Sequence, residues 1–328
     1  MRKLTNLLVT GGAGFIGSAF IKFLLEKTPD FTGKIIVADK LTYAANKWFI
    51  IKMQTDFPER FIFVKADICN QKKMEKILTN YHIDTIVNFA AETHVDNSIQ
   101  NPKKFYKTNL DGTMSLLEAA RNVWKYSLDN HPDEYHFHQI STDEVYGSLG
   151  PTGYFKEESP YRPNSPYSAS KAAADLLVLS YYHTYGLNCT ITNSSNNYGP
   201  NQANEKFIPK IITKLYSGKK IPIYGDGNNI RDWIFVEDNV NGIWKVLQNG
   251  RSGQRYNIGG GNELRNLDIL KMLCVITGKK PNVELVKDRP GHDFRYAVNC
   301  EKIKRELDWK PSISLKTGLT LTVRSYKK

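Results

Sequence analysis

A glycine-rich turn near the N-terminus restricts this chain to few folds. Gly11, Gly14 and Gly17 form a G-x-x-G-x-x-G pattern. Residues 4–10 precede the turn and have the pattern of a buried strand. Residues 18–27 follow it and carry apolar side chains at helical spacing. Such glycines let backbone N–H groups approach a pyrophosphate at the start of a helix. The pattern predicts a dinucleotide site.

Asp39 indicates which dinucleotide is bound. It ends the next apolar segment, residues 35–39, and lies 22 residues after Gly17. A carboxylate at this position accepts hydrogen bonds from the adenosine ribose and repels a 2′-phosphate. The sequence therefore predicts NAD rather than NADP as the cofactor.

Strand-like and helix-like patterns alternate through the first 192 residues. Strands are predicted at 35–39, 61–67, 85–90 and 135–141, and helices near 74–80 and 110–125. Alternation in units of about 30 residues is typical of a parallel, doubly wound α/β sheet of the Rossmann type. We therefore expect an NAD-binding Rossmann domain over residues 1–192.

Less regular patterns follow from residue 193 onward. Helical spacing recurs at 208–217 and 266–278, between turns rich in glycine and asparagine. Residues 193–328 are predicted to form a smaller C-terminal α/β lobe that binds the substrate. The boundary is soft, because short elements can return to the first domain.

Composition excludes several classes of protein. No run of 18 apolar residues exists, so no spanning helix is predicted. Residues 1–6 lead straight into the first strand, which argues against a cleaved signal peptide. The four cysteines are far apart without a C-x-x-C pair. Neither a metal site nor a disulfide framework is therefore expected, and a reducing, cytoplasmic location is favoured.

The net charge of +12 comes from lysine pairs scattered among acidic residues. Because no long basic tract occurs, nucleic-acid binding is not the favoured interpretation. A positive field still favours a small anionic substrate.

Tyr167 and Lys171 form a pair with the chemistry of an alcohol-oxidising site. Their i, i+4 spacing places both on one face of a helix that opens at Pro166. A free phenol has a pKa of about 10 and is a poor base at neutral pH. A nearby ammonium and a cationic nicotinamide ring favour the phenolate. Lys171 can also bind the nicotinamide ribose.

Two adjacent acids, Asp143 and Glu144, follow Thr142 at the end of the predicted strand 135–141. Alcohol oxidation does not require them. Two carboxyl groups with different pKa values can serve as an acid and a base, and their mutual repulsion favours one shared proton. The pair therefore suggests removal of a carbon-bound proton and loss of water.

Several longer segments resemble the dTDP-glucose 4,6-dehydratase family, within the extended short-chain dehydrogenase/reductase superfamily. They are residues 89–96, 141–147, 166–171, 195–200, 205–209, 230–238 and 288–293. The resemblance extends from about Leu4 to Pro311. It implies conversion of dTDP-glucose or UDP-glucose to the 4-keto-6-deoxy sugar nucleotide, toward deoxysugars such as rhamnose.

The resemblance also implies a mechanism. Tyr167 takes the proton of the sugar 4-hydroxyl, which Thr142 orients, and hydride passes from C4 to NAD. Glu144, ionised, removes the C5 proton. Asp143, protonated, delivers a proton to the departing 6-hydroxyl, and hydride returns to C6.

Beyond the residues argued above, the members of the site are implied by the resemblance alone. The expected NAD contacts are Gly11, Gly14, Phe15, Ile16, Gly17, Asp39, Lys40, Leu41, Thr42, Asp67, Ile68, Phe89, Ala90, Ala91, Thr93, Thr108, Tyr167, Lys171 and Asn197. The expected substrate contacts are Thr93, Thr142, Asn196, Lys206, Phe207, Pro222, Tyr224, Arg231, Asn266, Arg289 and His292. Among these, Lys206, Arg231 and Arg289 are suited to hold a diphosphate.

The family implies a homodimer through the helices that contain Tyr167 and residues 110–125. An apolar seam of Phe105, Leu116, Leu117, Leu176 and Leu177 is expected, with ordinary core packing as the alternative.

Two other functions remain open at this point. A sugar-nucleotide 4-epimerase needs the same NAD, tyrosine and lysine but no acid pair. A catalytically idle dinucleotide-binding scaffold or a nucleic-acid binder is the alternative from another class.

Overall fold

The computed structural model describes residues 1–130 and 134–327. Twelve strands occur there: β1 Asn6–Thr10, β2 Lys34–Asp39, β3 Phe61–Lys65, β4 Thr85–Asn88, β5 His136–Thr142, β6 Cys189–Ser194, β7 Asn196–Tyr198, β8 Ile221–Tyr224, β9 Ile230–Phe235, β10 Gln254–Ile258, β11 Glu263–Arg265 and β12 Val283–Val286.

The same residues form twelve α-helices: α1 Phe15–Lys27, α2 Lys47–Asp56, α3 Gln71–Asn80, α4 Val95–Gln100, α5 Pro102–Phe105, α6 Gly112–Asn130, α7 Pro166–Tyr185, α8 Phe207–Ser217, α9 Val236–Asn249, α10 Asn266–Thr277, α11 Glu301–Leu307 and α12 Leu315–Ser325. A π-helical segment, Tyr106–Asp111, joins α5 to α6, and a 3₁₀ turn, Asp143–Tyr146, follows β5.

A seven-stranded parallel sheet forms the centre of the molecule. Its order is β10-β6-β5-β4-β1-β2-β3, so the chain moves one way from β1 and then restarts on the other side with β4. Such a switch point opens a crevice at the carboxyl ends of the strands. The predicted Rossmann-type, doubly wound α/β fold is confirmed.

Apolar side chains cover both faces of this sheet. On one face, α1 and α9 pack together over β1 and β2. On the other face, α3, α6 and α7 pack over the same strands and their neighbours. Burial on both faces explains why the strands are continuous apolar runs, as in Leu7-Leu8-Val9.

Two small sheets lie outside the main one. Strands β11, β9 and β7 form a three-stranded sheet, and β12 pairs with β8 in parallel. A separate apolar cluster packs around β9 with α8, α10 and α12. The residues after 193 are not confined to this region, because β10 pairs with β6 and α9 packs on α1. The proposed division at residue 193 stays a prediction.

Some element bounds differ from the sequence prediction. Helix α1 begins at Phe15 rather than residue 18, because Gly14 is already its extended N-cap. The helix predicted at 110–125 begins at Gly112, after the π-helical segment. Within the described ranges, every helix is too short or too polar to cross a bilayer.

The predicted dimer seam is wrong for three of its five residues. Phe105, Leu116 and Leu117 are fully buried in the protein's own core, so they have no area left for a partner. Leu177 is partly buried against the α3–α6–α7 core. Only Leu176 is well exposed, at 56% of its surface. The pattern that suggested a seam is ordinary core packing.

Candidate active site

A cavity of about 310 Å³ opens at the carboxyl ends of the central strands. Its walls come from the glycine turn, the ends of β2, β3, β4 and β5, the first turns of α7 and the segment 194–206. All five predicted catalytic residues line it: Thr142, Asp143, Glu144, Tyr167 and Lys171. The fold thus brings the dinucleotide turn and the reactive side chains into one space.

The glycine turn has no room for side chains. Gly11 has a φ of +66°, and a Cβ there would lie 2.7 Å from the backbone of Ala90. A Cβ on Gly17 would lie 2.5 Å from the carbonyl oxygen of Gly11. The close approach of β1, β4 and the start of α1 therefore requires glycine. This cradle fits a pyrophosphate at a helix N-terminus.

Asp39 is held in place at the cavity edge. Its carboxylate accepts backbone hydrogen bonds from Ala13 at 3.0 Å and from Leu41 at 2.7 Å. Burial raises the pKa of this carboxyl, while both hydrogen bonds and Lys40 oppose the rise. A carboxylate oxygen can accept further hydrogen bonds, so Asp39 remains available to ribose hydroxyls.

Of the predicted NAD contacts, all but one line the cavity. The exception is Leu41, whose side chain packs against the apolar core beside α1. Its backbone N–H supports Asp39 instead. A direct contact of Leu41 with the cofactor stays a prediction.

Tyr167 and Lys171 occupy the first turns of α7 because the helix start is well defined. Ser165 caps the helix reciprocally with Ser168, and Pro166 occupies the first helical position. Lys171 donates a 2.6 Å hydrogen bond from Nζ to the carbonyl of Ile140 in β5. This bond joins α7 to the strand that ends in Thr142.

Asp143 is buried and favours its neutral form. Only 1% of the residue is exposed, and burial raises the pKa of the carboxyl well above its ordinary value. The charges of Glu144 and Asp232 act in the same direction, against Arg231 and a hydrogen bond with Thr142. Oδ2 has no hydrogen-bond partner among the described residues. Asp143 is thus suited to deliver a proton.

Glu144 lies in a more positive environment than Asp143. Burial raises the pKa of its carboxyl, but Arg289, Arg231 and Lys206 oppose the rise. Only one of these cations, Arg231, opposes the rise in the pKa of Asp143. Of the two acids, Glu144 is therefore the one that ionises more readily, and its role as the base stays a prediction.

In the protein by itself, Lys171 does not offset the effect of burial on Tyr167, and its promotion of Tyr167 ionisation beside a bound nicotinamide stays a prediction. Burial raises the pKa of the Tyr167 phenol above its ordinary value, as does the charge of Glu144, and a hydrogen bond with Thr142 opposes them. The Lys171 ammonium is committed to the Ile140 carbonyl. Burial lowers the pKa of Lys171, with Asp175 opposing. Tyr167 is thus a neutral phenol here.

The predicted substrate contacts fall into two groups. Thr93, Thr142, Asn196 and Lys206 line the cavity. The others lie outside its lining: Phe207, Pro222, Tyr224, Arg231, Asn266, Arg289 and His292. Lys206 donates a hydrogen bond from Nζ to the carbonyl of Thr93 at 2.9 Å, and the charges of both Glu144 and Arg289 act on it.

Arg231 is the most buried of the three predicted diphosphate ligands. It is 5% exposed, and its guanidinium donates to the carbonyls of Ile230 and Asp293 at 2.7 and 3.0 Å. It also stacks over Tyr296 at 4.4 Å. The charge of Arg231 lowers the pKa of both Asp143 and Glu144. We infer that Arg231 favours the charged forms of the acid pair, in addition to any contact with phosphate.

Three other members of this group make structural contacts within the protein. Phe207 stacks on Trp233 with ring centroids 5.9 Å apart. Pro222 lies in β8, opposite Glu284 of β12. The Asn266 N–H donates to the carbonyl of Asn229 at 3.1 Å. Their contacts with a substrate stay predictions.

Sequence reasoning missed Asp175, a buried carboxylate of α7 that is hydrogen-bonded to Ser141 in the cavity wall. Its Oδ2 accepts hydrogen bonds from Ser141 at 2.6 Å and from Tyr161 at 3.0 Å. Asn193 also donates to it, at 3.3 Å. An acid four residues after Lys171, on the same helix face, was the available signal.

The described residues offer no metal site. No group of three or more histidine, cysteine, aspartate or glutamate side chains is arranged to hold an ion there.

The sheet order, the glycine cradle and the Tyr167–Lys171 pair beside β5 define a class, the extended short-chain dehydrogenases/reductases. A family model described as GDP-mannose 4,6 dehydratase matches residues 8–322. The chain is also 47% identical to dTDP-glucose 4,6-dehydratase of Haemophilus influenzae, over 98% of each chain. It belongs to the dTDP-glucose 4,6-dehydratase family.

Solved structures agree with this assignment. The dTDP-glucose 4,6-dehydratase DesIV of Streptomyces venezuelae, crystallised with NAD, is similar with a TM-score of 0.92 and 43% identity, over 98% of this chain and 97% of that one. UDP-glucose 4-epimerase of Thermotoga maritima has a TM-score of 0.87 but only 28% identity, over 98% and 99%. The epimerase shares the fold and is more distant in sequence.

Proposed function

We propose that this chain is an NAD-dependent 4,6-dehydratase of a nucleoside-diphosphate glucose. The observation that carries the proposal is one cavity that holds Asp143 and Glu144 together with Thr142, Tyr167 and the glycine cradle. dTDP-glucose is the first substrate to test, because curated relatives that are 47% and 45% identical to this chain are named for it. UDP-glucose is the second.

The residues of the cavity suit NAD. The backbone around Gly11, Gly14 and Gly17 would hold the pyrophosphate, and Asp39 the adenosine ribose. Lys171 would lie near the nicotinamide ribose. When bound, NAD accepts a hydride from the sugar and returns it, so the overall reaction is loss of water without net oxidation.

Tyr167 and Thr142 would act on the sugar 4-hydroxyl. Thr142 and Tyr167 line the same cavity, so both hydroxyl groups can contact the same substrate oxygen. Tyr167 takes the proton of that oxygen as C4 becomes a ketone. Because burial holds the phenol neutral in the protein alone, a positive charge beside it is needed before it can act as a base.

Glu144 and Asp143 would carry out the dehydration. The 4-ketone acidifies the proton on C5, and Glu144 removes it. Asp143 gives its proton to the 6-hydroxyl, which leaves as water when the C6–O bond breaks. Burial favours the protonated form of Asp143, and three nearby cations favour the charged form of Glu144 against the effect of burial.

Incubation with dTDP-glucose and with UDP-glucose, side by side, tests this function. A 4-keto product absorbs in alkali, and we expect it from at least one of the two. A galactose product would instead identify an epimerase. Absence of turnover with both sugar nucleotides would reject the dehydratase.

We also propose a homodimer, through exposed apolar residues rather than the seam first predicted. Leu176 of α7 and Met114 of α6 are exposed, and these two helices pack side by side. Tyr106, at the start of the π-helical segment, adds to this surface.

A cytoplasmic location is part of the proposal, supported by the four free thiols.

A further inference from the structure

Asp96 joins parts of the chain that are far apart in sequence. It lies in α4, three residues after the cavity residue Thr93. Its Oδ2 accepts a 3.0 Å hydrogen bond from the hydroxyl of Tyr224, and its Oδ1 accepts one from Nη1 of Arg289 at 3.2 Å. These partners are 128 and 193 residues away along the chain.

We propose that Asp96 is a positioning residue that holds Tyr224 and Arg289 ready for the nucleoside diphosphate of the substrate. The inference rests on the proposed function, because both partners are expected substrate contacts. One carboxylate serves both partners with a separate oxygen for each. It therefore sets their distance from Thr93 and the acid pair at the reacting end of the substrate.

Arg289 retains donors for a ligand while it is bound to Asp96. Its Nε is buried and has no hydrogen-bond partner within the described part of the chain. A buried donor without a partner lowers the stability of the fold, and a ligand that accepts its hydrogen bond would restore that free energy. Phosphate oxygens are strong acceptors for a guanidinium, so an anionic ligand fits this donor.

Tyr224 is oriented through its hydroxyl group. Burial raises the pKa of the phenol, and the hydrogen bond to Asp96 raises it further, so the group stays a donor. With the hydroxyl committed to Asp96, the ring face remains for a base or ribose. The ring also packs against His292, with centroids 6.1 Å apart and the two planes at 80°.

Asp96 is ionised at neutral pH. Burial raises the pKa of its carboxyl, but the Tyr224 hydrogen bond and the Arg289 charge outweigh burial and lower it. A negative charge here has two opposite possible effects. It can organise the binding groups, or it can compete with phosphate for Arg289. The two effects predict opposite changes in affinity when Asp96 is removed.

The affinity of the NAD-loaded protein for dTDP and for UDP, measured by calorimetry, separates them. For the nucleotide that the wild type binds, Asp96→Ala should raise Kd at least tenfold. Asp226→Ala is the matched control, because Asp226 lies in an exposed turn and hydrogen-bonds Asn228. Its Kd should stay within twofold of the wild-type value. Unchanged or tighter binding by Asp96→Ala would overturn the proposal.

A double-mutant cycle tests whether Asp96 acts through Tyr224. Tyr224→Phe removes only the hydroxyl and should raise Kd severalfold in the wild-type background. In the Asp96→Ala background the same change should have less than half that effect. Equal effects in both backgrounds would show that the residues act independently, and would also overturn the proposal.

Two further measurements keep the outcomes distinct. The NAD affinity and melting temperature of Asp96→Ala show whether the variant is folded, and Tyr224→Phe serves alone if it is not. Wild-type protein that binds a nucleoside diphosphate but turns over neither sugar nucleotide would reject the proposed function, not the role of Asp96.

Discussion

Asp143 and Glu144 are neighbours in sequence, yet their side chains lie in different charge environments. Asp143 is buried next to Asp232 and Glu144, whereas three cations act on Glu144. Because the charges around the two carboxyls differ, their pKa values differ as well. One carboxyl can then serve as an acid and the other as a base. The first two predictions concern these residues.

Replacing Glu144→Gln should block product formation but leave oxidation at C4. The amide cannot accept the C5 proton, and a general base contributes about 10²–10⁴-fold to rate. Stopped-flow absorbance should therefore show NADH that forms and persists while the 4-keto-6-deoxy product is lost. Glu158→Gln, an exposed neighbour on the segment after β5, is the control and should turn over normally. Normal turnover by Glu144→Gln would refute the assignment.

Replacing Asp143→Asn should stabilise the fold while abolishing activity. The folded pKa of Asp143 is raised, so between its unfolded value, about 4, and its folded value the folded chain holds a proton that the unfolded chain has lost. Stability from this group is therefore full at low pH and declines as pH rises. Asparagine removes the dependence, so the gain should increase with pH.

Denaturant unfolding at about pH 5 and about pH 8 measures this gain, expected to be on the order of 1 kcal/mol at the higher value. An equal gain at both values would contradict the prediction.

At the scale of elements, two loops meet across the mouth of the cavity. Tyr43, in the loop after β2, donates a 3.0 Å hydrogen bond to Glu205, in the segment before α8. Thr42 and Ala44 beside Tyr43 line the cavity, as do Glu205 itself and the next residue, Lys206. The hydrogen bond thus joins opposite walls over the expected NAD site.

Tyr43→Phe should release NAD several times faster than the wild type does, because it breaks this link and keeps the ring. Displacement of NADH, followed by its fluorescence, gives the dissociation rate. Tyr154→Phe, a change at another exposed tyrosine, should leave the rate unaltered. If Tyr43→Phe and Glu205→Gln both release NAD at the wild-type rate, the link has no role in retention.

At the scale of the whole molecule, the chain crosses between its regions more than once. Strand β10 completes the main sheet beside β6, and α9 covers the same face as α1. A fragment of residues 1–192 lacks both elements and cuts β6. We expect it to lack a cooperative unfolding transition in circular dichroism and to bind no NAD. Cooperative unfolding of this fragment would support an independent N-terminal domain.

The proposed dimer gives a prediction at the same scale. Leu176→Lys places a charge in an apolar interface and should shift the protein to monomer in sedimentation velocity. Val275→Lys is the control, since Val275 is 83% exposed on α10, which does not belong to the proposed interface. It should sediment as the wild type does. A wild-type protein that sediments as a monomer at micromolar concentration would refute the dimer.

Sequence reasoning succeeded where the chemistry lies in one short segment. The glycine turn, the Tyr167–Lys171 pair and the acid pair after β5 each occupy a few consecutive positions. Their spacing along a helix or at a strand end places the groups together with little help from the rest of the chain. The parallel sheet was predictable for the same reason, because each strand–helix unit has its own periodicity.

Only the tertiary structure decided how these groups behave. Burial keeps Tyr167 neutral, the Ile140 carbonyl binds Lys171, and cations from distant segments act on Glu144. Asp96 meets Tyr224 and Arg289 only because the end of β8 and the segment after β12 lie beside α4. Local periodicity records which face of an element is apolar. It does not record which distant side chain will face it, since that depends on how whole elements pack.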